Sequence, residues 1–326
     1  MQRVAIIGAG LAGAVLTERL VAAGLDVSIF EKSRGTGGRL ASSRLGEYAG
    51  DLGAPVIDSH SEAFTAWLAN QQQLGRVARW LPRAIDFGGD KRASEQYWVG
   101  VGRNSSLTRA LIEGAKLYAE TRIGTVWPDK EGVLLRDVHS ESLGHFDAVI
   151  CTAPAPQAVP LLESIPRFSH LADEAVTDPA WVYLAAVSEL PDRLRGVDLV
   201  EGQHAAIGRI VVDSNKPGRR GAVIKVEMSR DWSEANVELH AETVKSESRK
   251  HLQNWLGETL DIQSERIHRW LYNRSYQPSP TTPALWDADT GIGACGDWIG
   301  ASGLDGSFNS ANYLADLLLS SGQSAA

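Results

Sequence analysis

Apolar residues follow two rhythms along this chain, and its opening shows both. Residues 2–7 end in an unbroken apolar run (Val4, Ala5, Ile6, Ile7), the pattern of a short buried strand. From about residue 11 to residue 23 the period lengthens, with Leu16 and Leu20 on one helical face and Gly24 positioned as a C-cap. Asp26–Phe30 (DVSIF) is strand-like again. Further on, Leu107, Leu111 and Ala115 predict a helix capped by Asn104 or Ser105. Strand-like runs follow at residues 181–188, 206–213, 221–228 and 266–272, with a long polar helix expected over 233–256. A final amphipathic helix carries Phe308, Ala311, Leu314, Ala315 and Leu318 as its apolar stripe and reaches about Ser320. The opening strand–helix–strand and the later run of strands predict an α/β fold with a second α+β unit built on an antiparallel sheet.

The first strand runs directly into Gly8-Ala9-Gly10-Leu11-Ala12-Gly13, and Glu31 closes the second strand. Each part has a task in holding a dinucleotide. Gly8 permits the tight turn, Gly10 leaves room for a pyrophosphate, and Gly13 lets the helix pack on the strand. The helix N-terminus, with Ala12 in its first turn, offers free amides and partial positive charge to phosphates. An acid at the position of Glu31 suits a ribose with a free 2′-hydroxyl, so FAD or NAD rather than NADP.

Composition narrows the classes. The 326 residues are 43% hydrophobic, ample for a core and consistent with about two domains. A net charge of −8 lacks the basic footprint of a nucleic-acid binder. Arg219 and Arg220 read as a solvated turn. Cys151 and Cys295 are the only cysteines, so a disulfide framework is not expected and a cytoplasmic setting fits. No apolar run approaches the roughly 18 residues of a membrane span. Residues 3–16 lack the basic flank of a signal peptide and run into Glu18 and Arg19, which reads as structure. No metal-ligand spacing is present among the eight histidines, and His60 and His204 read as surface or capping residues.

Past Glu31, the run Lys32-Ser33-Arg34-Gly35-Thr36-Gly37-Gly38-Arg39 resembles the extended signature of FAD-dependent amine oxidases, phytoene desaturases and renalases. The resemblance implies FAD, bound non-covalently, with Arg39 along the pyrophosphate and Arg34 and Arg44 as nearby extras. Thr17 departs from the usual alanine, and its hydroxyl can bond back to the helix. Residues 51–56 look like the family's strand past the isoalloxazine, with Gly53 and Ala54 close to the ring. Residues 146–154 look like the returning strand, and Val126 matches the residue whose backbone meets adenine. Gly293-Ala294-Cys295-Gly296-Asp297 resembles the terminal GD motif, in which Asp297 would bond the ribityl chain and Cys295 is a small core residue. The last helix would point its N-terminus, at Gly303 and Leu304, toward the flavin, with Asp305 turned outward as its cap.

The implied FAD-binding domain is discontinuous, over residues 1–57, 100–158 and 286–326, and the substrate domain takes 58–99 and 159–285. Gln277-Pro278-Ser279-Pro280 would be the loop leading back. Ten tryptophans suggest aromatic packing, and Tyr97, Trp98 and Trp298, with Gly303, are the candidates for substrate contact. Within the family, Asp178-Pro179-Ala180-Trp181 and His268-Arg269-Trp270-Leu271-Tyr272 look like segments of bacterial renalase-like oxidoreductases. That resemblance implies oxidation of 1,2- and 1,6-dihydro isomers of NAD(P), with hydride passing to flavin N5 and dioxygen giving hydrogen peroxide. Such a substrate is already a hydride donor, in keeping with a sequence that shows no catalytic dyad. The alternatives are an amine oxidase or desaturase on the same fold, and a non-catalytic FAD-binding protein. The sequence leaves the oligomeric state open.

Overall fold

The computed structural model describes residues 1–278 and 282–323, with side chains as far as 320. Of the expected loop over 277–280, Ser279 and Pro280 lie outside the described residues. A six-stranded sheet runs in the order Leu285–Asp287, Ile292–Ala294, Ala148–Cys151, Arg3–Ile7, Asp26–Phe30, Lys116–Tyr118. All neighbours are parallel except the first pair. Ile6 lies between Ile29 and Ile150 at the centre. The unbroken apolar run of the first strand has a direct cause: both faces of this sheet are buried. Val4 and Ile6 pack under the helices Leu11–Ala22, Ser105–Leu111 and Gly303–Gln323. Ala5 and Ile7 face the other way, onto a three-stranded sheet (Ile123–Asp129, Gly132–Asp137, Ser142–Phe146) and the helices Ala155–Leu161 and Pro166–Glu174.

The C-terminal stripe of Phe308, Ala311, Leu314, Ala315 and Leu318 is buried against this core, each leucine worth about 1.5–3 kcal/mol of transfer free energy. At the other end of the chain, Gly24 takes the left-handed φ of 84° and its amide reaches back to Val21, closing the first helix. Thr17 donates its hydroxyl to the carbonyl of Gly13 at 2.7 Å, the back-bond its place in the helix suggested.

The second sheet runs Ile262–Tyr276, Val176–Val187, Val223–Met228, Ile207–Val212, Leu199–Glu201, Ala84–Ile85. It is antiparallel apart from its last pair. Helices cover one face, with Val244, Leu252 and Trp255 packed on Tyr183, Ile224 and Val226. The other face meets residues 45–52, where Leu45 and Leu52 pack on Leu184 and Val223.

Several expectations are corrected. The long helix over 233–256 is two, Arg230–Ala235 and Ala241–Leu256. Asn236 ends the first by donating its amide to the Trp232 carbonyl, and the Trp181 indole holds the Asn236 carbonyl at 3.1 Å. The helix of Leu107 and Leu111 stops at Leu111, leaving Ala115 outside it. Asn104 stands at its N-cap without capping it, because its side chain binds the Gly100 amide and the Ala54 carbonyl instead. The strand expected over 51–56 ends at Asp51, and residues 52–56 belong to no helix or strand. Arg219 is not solvated: it lies in a buried ring of charges with Asp51, Asp213 and Lys216, while Arg220 is exposed.

Candidate active site

The glycine turn is built of residues with different reasons to be glycine. A Cβ on Gly13 would lie 2.1 Å from the Gly8 carbonyl oxygen, so the helix can approach the strand only without one. Gly8 itself holds a φ of 108°, open to glycine at little cost. Gly10 is unlike both. A Cβ there would meet only the Cα of Gly38, at 3.9 Å, so protein packing does not require its bareness. Gly10 stands at the N-cap of the helix Leu11–Ala22, where first-turn amides, including that of the buried Ala12, have no intrahelical partner. The second glycine loop docks on the first, with the Gly37 amide donating to the Ala9 carbonyl at 2.9 Å. Glu31 braces both: its buried carboxylate accepts from the amides of Ala9 (2.9 Å) and Ser33 (2.8 Å). Beside it Lys32 donates to Gln157 at 2.7 Å. Val126 is buried on the outer sheet, in the cluster of Phe30 and Phe146.

Arg39, next to the second glycine loop, and Asp297, 258 residues apart, meet in a two-pronged pair at 2.5 and 2.6 Å. Burial alone would lower the Arg39 pKa, but Asp297 outweighs it and holds the guanidinium firmly charged. The Arg39 backbone also requires Gly53 to be bare, since a Cβ there would lie 1.9 Å from the Arg39 carbonyl oxygen. The Ala54 amide donates to the same oxygen at 2.7 Å. The exposed Gly303 and half-buried Leu304 begin the C-terminal helix. Asp305 does not cap that helix. Its carboxylate accepts from the amides of His60 (2.7 Å) and Ser61 (2.9 Å) and from the Ser61 hydroxyl, so it ties down the entry to the neighbouring helix Glu62–Gln73. Its charge is thereby satisfied away from the helix mouth.

Two of the three aromatic candidates are core residues. Trp298 is 1% exposed and donates its indole N–H to the Ala153 carbonyl at 3.0 Å. Trp98 is 4% exposed, with the Arg79 guanidinium stacked 4.4 Å from its ring. Strand alternation in Tyr97–Gly100 sends Tyr97 the opposite way, half-buried, with Glu201, Arg209 and Asp58 in its electrostatic surroundings. His60 is exposed beside Asp58, and His204 accepts from the amides of Ala206 and Ile207 through Nδ1, a capping role. Cys295 is fully buried behind the terminal turn, and burial pushes its thiol pKa up.

Tyr97 thereby joins a group that the sequence reading missed. Directly opposed residues place His268, Val182, Glu227, Arg209 and Glu201 in one row across five strands of the antiparallel sheet. One pleat along, Lys225 is fully buried and donates to the Gly53 carbonyl. The Trp270 indole, one pleat from His268, donates to the Leu52 carbonyl at 2.9 Å, so this face overlooks residues 52–54. Three contacts link the charges: Lys225 Nζ to Glu227 at 2.8 Å, Arg209 Nε to Glu227 at 3.9 Å and Arg209 Nε to Glu201 at 2.6 Å. Glu227, Arg209 and Glu201 are 25%, 30% and 24% exposed, so water reaches a row that lies on the inner face of a sheet. Burial would raise the Glu227 carboxyl, but Lys225 and Arg209 hold it below the usual range. Burial lowers Lys225, partly offset by Glu227, and lowers His268 to about 4, with Arg266 adding to it. A signal was present in Val223–Met228: Lys225 and Glu227 break an apolar strand at i and i+2, which marks one charged face.

The residues present fit FAD. The room at Gly10, at a helix N-terminus, suits a pyrophosphate, and the Arg39–Asp297 pair adjoins Gly38, which lies against Gly10, and offers ionic and hydrogen-bonding groups. Comparison with known proteins agrees. A model of the NAD(P)-binding Rossmann-like domain matches residues 6–70, and one of the flavin containing amine oxidoreductases matches residues 82–319. A 38-residue stretch is 55% identical to a flavin-containing monooxygenase of Aspergillus flavus, covering 12% of this chain and 10% of that one. A 56-residue stretch is 36% identical to a zeta-carotene-forming phytoene desaturase of Myxococcus xanthus, covering 17% and 11%. The chain thus matches only about a tenth of the length of these curated relatives. In fold, it is similar over 97% of its length to 98% of a putative protoporphyrinogen oxidase from Exiguobacterium sp. 255-15, with a TM-score of 0.71 at 14% identity. It is also similar over 98% of its length to 99% of a putrescine oxidase solved with putrescine, with a TM-score of 0.69 at 15% identity. Among the described residues no helix is long and apolar enough to cross a membrane. With FAD as its cofactor, the chain belongs to the flavin-containing amine oxidoreductase family.

Proposed function

We propose that the chain oxidises the 1,2- and 1,6-dihydro isomers of NAD(P), as a renalase-type oxidase. One dihydronicotinamide, one dioxygen and one proton give NAD(P)+ and hydrogen peroxide. FAD, held at the Gly10 turn and by the Arg39–Asp297 pair, would supply the hydride acceptor and the route of the electron pair to dioxygen. The observation that carries this reading is the charged, water-reached row of Glu227, Arg209 and Glu201 beside the Lys225–Gly53 contact. A floor of donors and acceptors suits a polar ring substrate and opposes the long apolar channel that a carotenoid needs. The chemistry asks for little more, because a dihydronicotinamide yields hydride without a strong base. His268, with a pKa of about 4, is too weak a base to deprotonate an ammonium at neutral pH.

A second reading, amine oxidation, draws support from the two carboxylates Glu201 and Glu227, which would attract an ammonium. Anaerobic mixing of the oxidised holoenzyme with borohydride-reduced NAD isomers, ordinary NADH and amines including putrescine separates the two. Rapid bleaching of the flavin band by the isomers alone is expected. Bleaching by amines overturns the proposal, and bleaching by none of them would point to a binding protein.

A further inference from the structure

We propose that Arg209, held between Glu201 and Glu227, is a specificity residue that selects the carboxamide of a dihydronicotinamide over the carboxylate of its nicotinic-acid counterpart. The inference rests on the function proposed above and adds the group by which the ring is recognised. The argument is one of charge and of hydrogen-bond inventory. An arginine alone on a cleft floor is a carboxylate receptor, since its planar fork matches two oxygens. Here that charge is already answered. Glu201 and Glu227 oppose Arg209 directly on the two neighbouring strands, and each makes its nearest approach at Nε. The Nε side of the guanidinium is therefore engaged by Glu201, and the side chain is 30% exposed, so a ligand seated on the row would meet its outer amino edge.

A carboxylate brought to that edge would also face two glutamates, a like-charge juxtaposition that opposes its binding. A carboxamide meets no such penalty. Its oxygen accepts from the guanidinium, and its two N–H donors find the oxygens of Glu201 or Glu227. The row runs from the Gly53 side, through Lys225 and Glu227, to Tyr97 at the far end. Glu227 is the carboxylate nearer the Gly53 contact, where a ring that loses hydride would gain positive charge. Arg209 acts before that step, by positioning the ring through its substituent.

The test uses the FAD-loaded protein and two dinucleotide pairs, one with nicotinamide and one with nicotinic acid. Borohydride-reduced isomers of each are mixed anaerobically with the enzyme, and the flavin-reduction rate is followed against concentration. The oxidised forms are titrated separately against the flavin absorbance, a binding readout independent of turnover. The wild type is expected to favour the amide by about 100-fold or more. Glu201→Gln is nearly isosteric and uncovers the arginine, so the amide-to-acid ratio should fall about tenfold or more, chiefly by tighter binding of the acid. Arg209→Met should weaken the amide, and Arg209→Lys, which keeps the charge but loses the planar edge, should do so in part. FAD content and melting temperature identify a variant that has failed to fold, and Glu201→Gln and Arg209→Lys then carry the result. Equal use of both substrates by the wild type, or a ratio unmoved by Glu201→Gln, overturns the role of Arg209 while leaving dihydronicotinamide oxidation intact. A wild type reduced by neither dinucleotide overturns both.

Discussion

Two groups of ion pairs meet residues 51–54, and they differ in water. The first is a closed ring. Lys216 contacts Asp51 at 3.1 Å and Asp213 at 2.5 Å, and Arg219 contacts Asp51 at 2.6 Å and also Asp213, with all four side chains between 0% and 2% exposed. The second is the open row of Lys225, Glu227, Arg209 and Glu201, dry at the Lys225 end and a quarter to a third exposed beyond it. Both groups balance two positive charges against two negative ones. In the ring, Asn104 donates its backbone N–H to Asp51 at 3.0 Å and passes the constraint to the Ala54 carbonyl, so the charges act as a joint between the two sheets' segments. In the row, water reaches the charges, and on the function proposed above substrate would take that water's place.

Removing one member should separate the two groups most sharply. Arg219→Ala leaves Asp51 and Asp213 with one cation between them in a dry pocket, and a loss of about 3–5 kcal/mol in denaturant unfolding is expected. A loss below about 1 kcal/mol would mean that the ring is not a joint. The same division between structure and ligand runs through the glycine turn. Gly13→Ala forces a clash and should cost about 1–3 kcal/mol or more, seen as a lower melting temperature even without FAD. Gly10→Ala should leave the FAD-free protein within about 0.5 kcal/mol of wild type while weakening FAD in a titration. An FAD affinity unchanged in that variant would remove Gly10 from the cradle.

A smaller effect concerns pH. The folded state holds His268 at about 4, below the ordinary 6.5, so between those values the unfolded chain binds more protons. Stability should therefore decline as pH falls from about 6.5 toward about 4, and His268→Gln should flatten that part of the profile. A profile identical in the variant would break the link. The smallest effect on stability is expected at the open row. Glu201→Gln should change unfolding free energy by no more than about 0.5 kcal/mol, because a part-exposed pair is solvated either way. Its consequence should be visible in ligand choice alone.

The ring and the row also differ from the glycine cradle in how legible they were in the chain. The cradle was readable because its constraints are local: Gly8, Gly10 and Gly13 serve a turn and a helix within six residues, and Glu31 ends the next strand. The C-terminal stripe was readable for the same reason, a period repeated along one helix. The break at Asn236 was not, because the helix ends where Trp181, from a distant strand, takes its carbonyl. Arg219 was misread as solvated because an Arg-Arg pair beside glycine looks like a turn until Asp51 and Asp213 close around it. Asp305 was misread as the cap of its own helix, because the amides that it satisfies belong to a segment up to 245 residues away.

By itself the sequence determined the class of fold, the dinucleotide turn and the FAD family, all carried by short-range patterns of size, period and chirality. Tertiary structure decided which charges are buried and which are wet, that Arg39 reaches Asp297, and that Trp98 and Trp298 are core while Tyr97 is half-buried. The physical reason is common to these cases. An ion pair or a ring contact has its meaning in desolvation, and desolvation is set by every element that packs over a residue rather than by its neighbours in the chain.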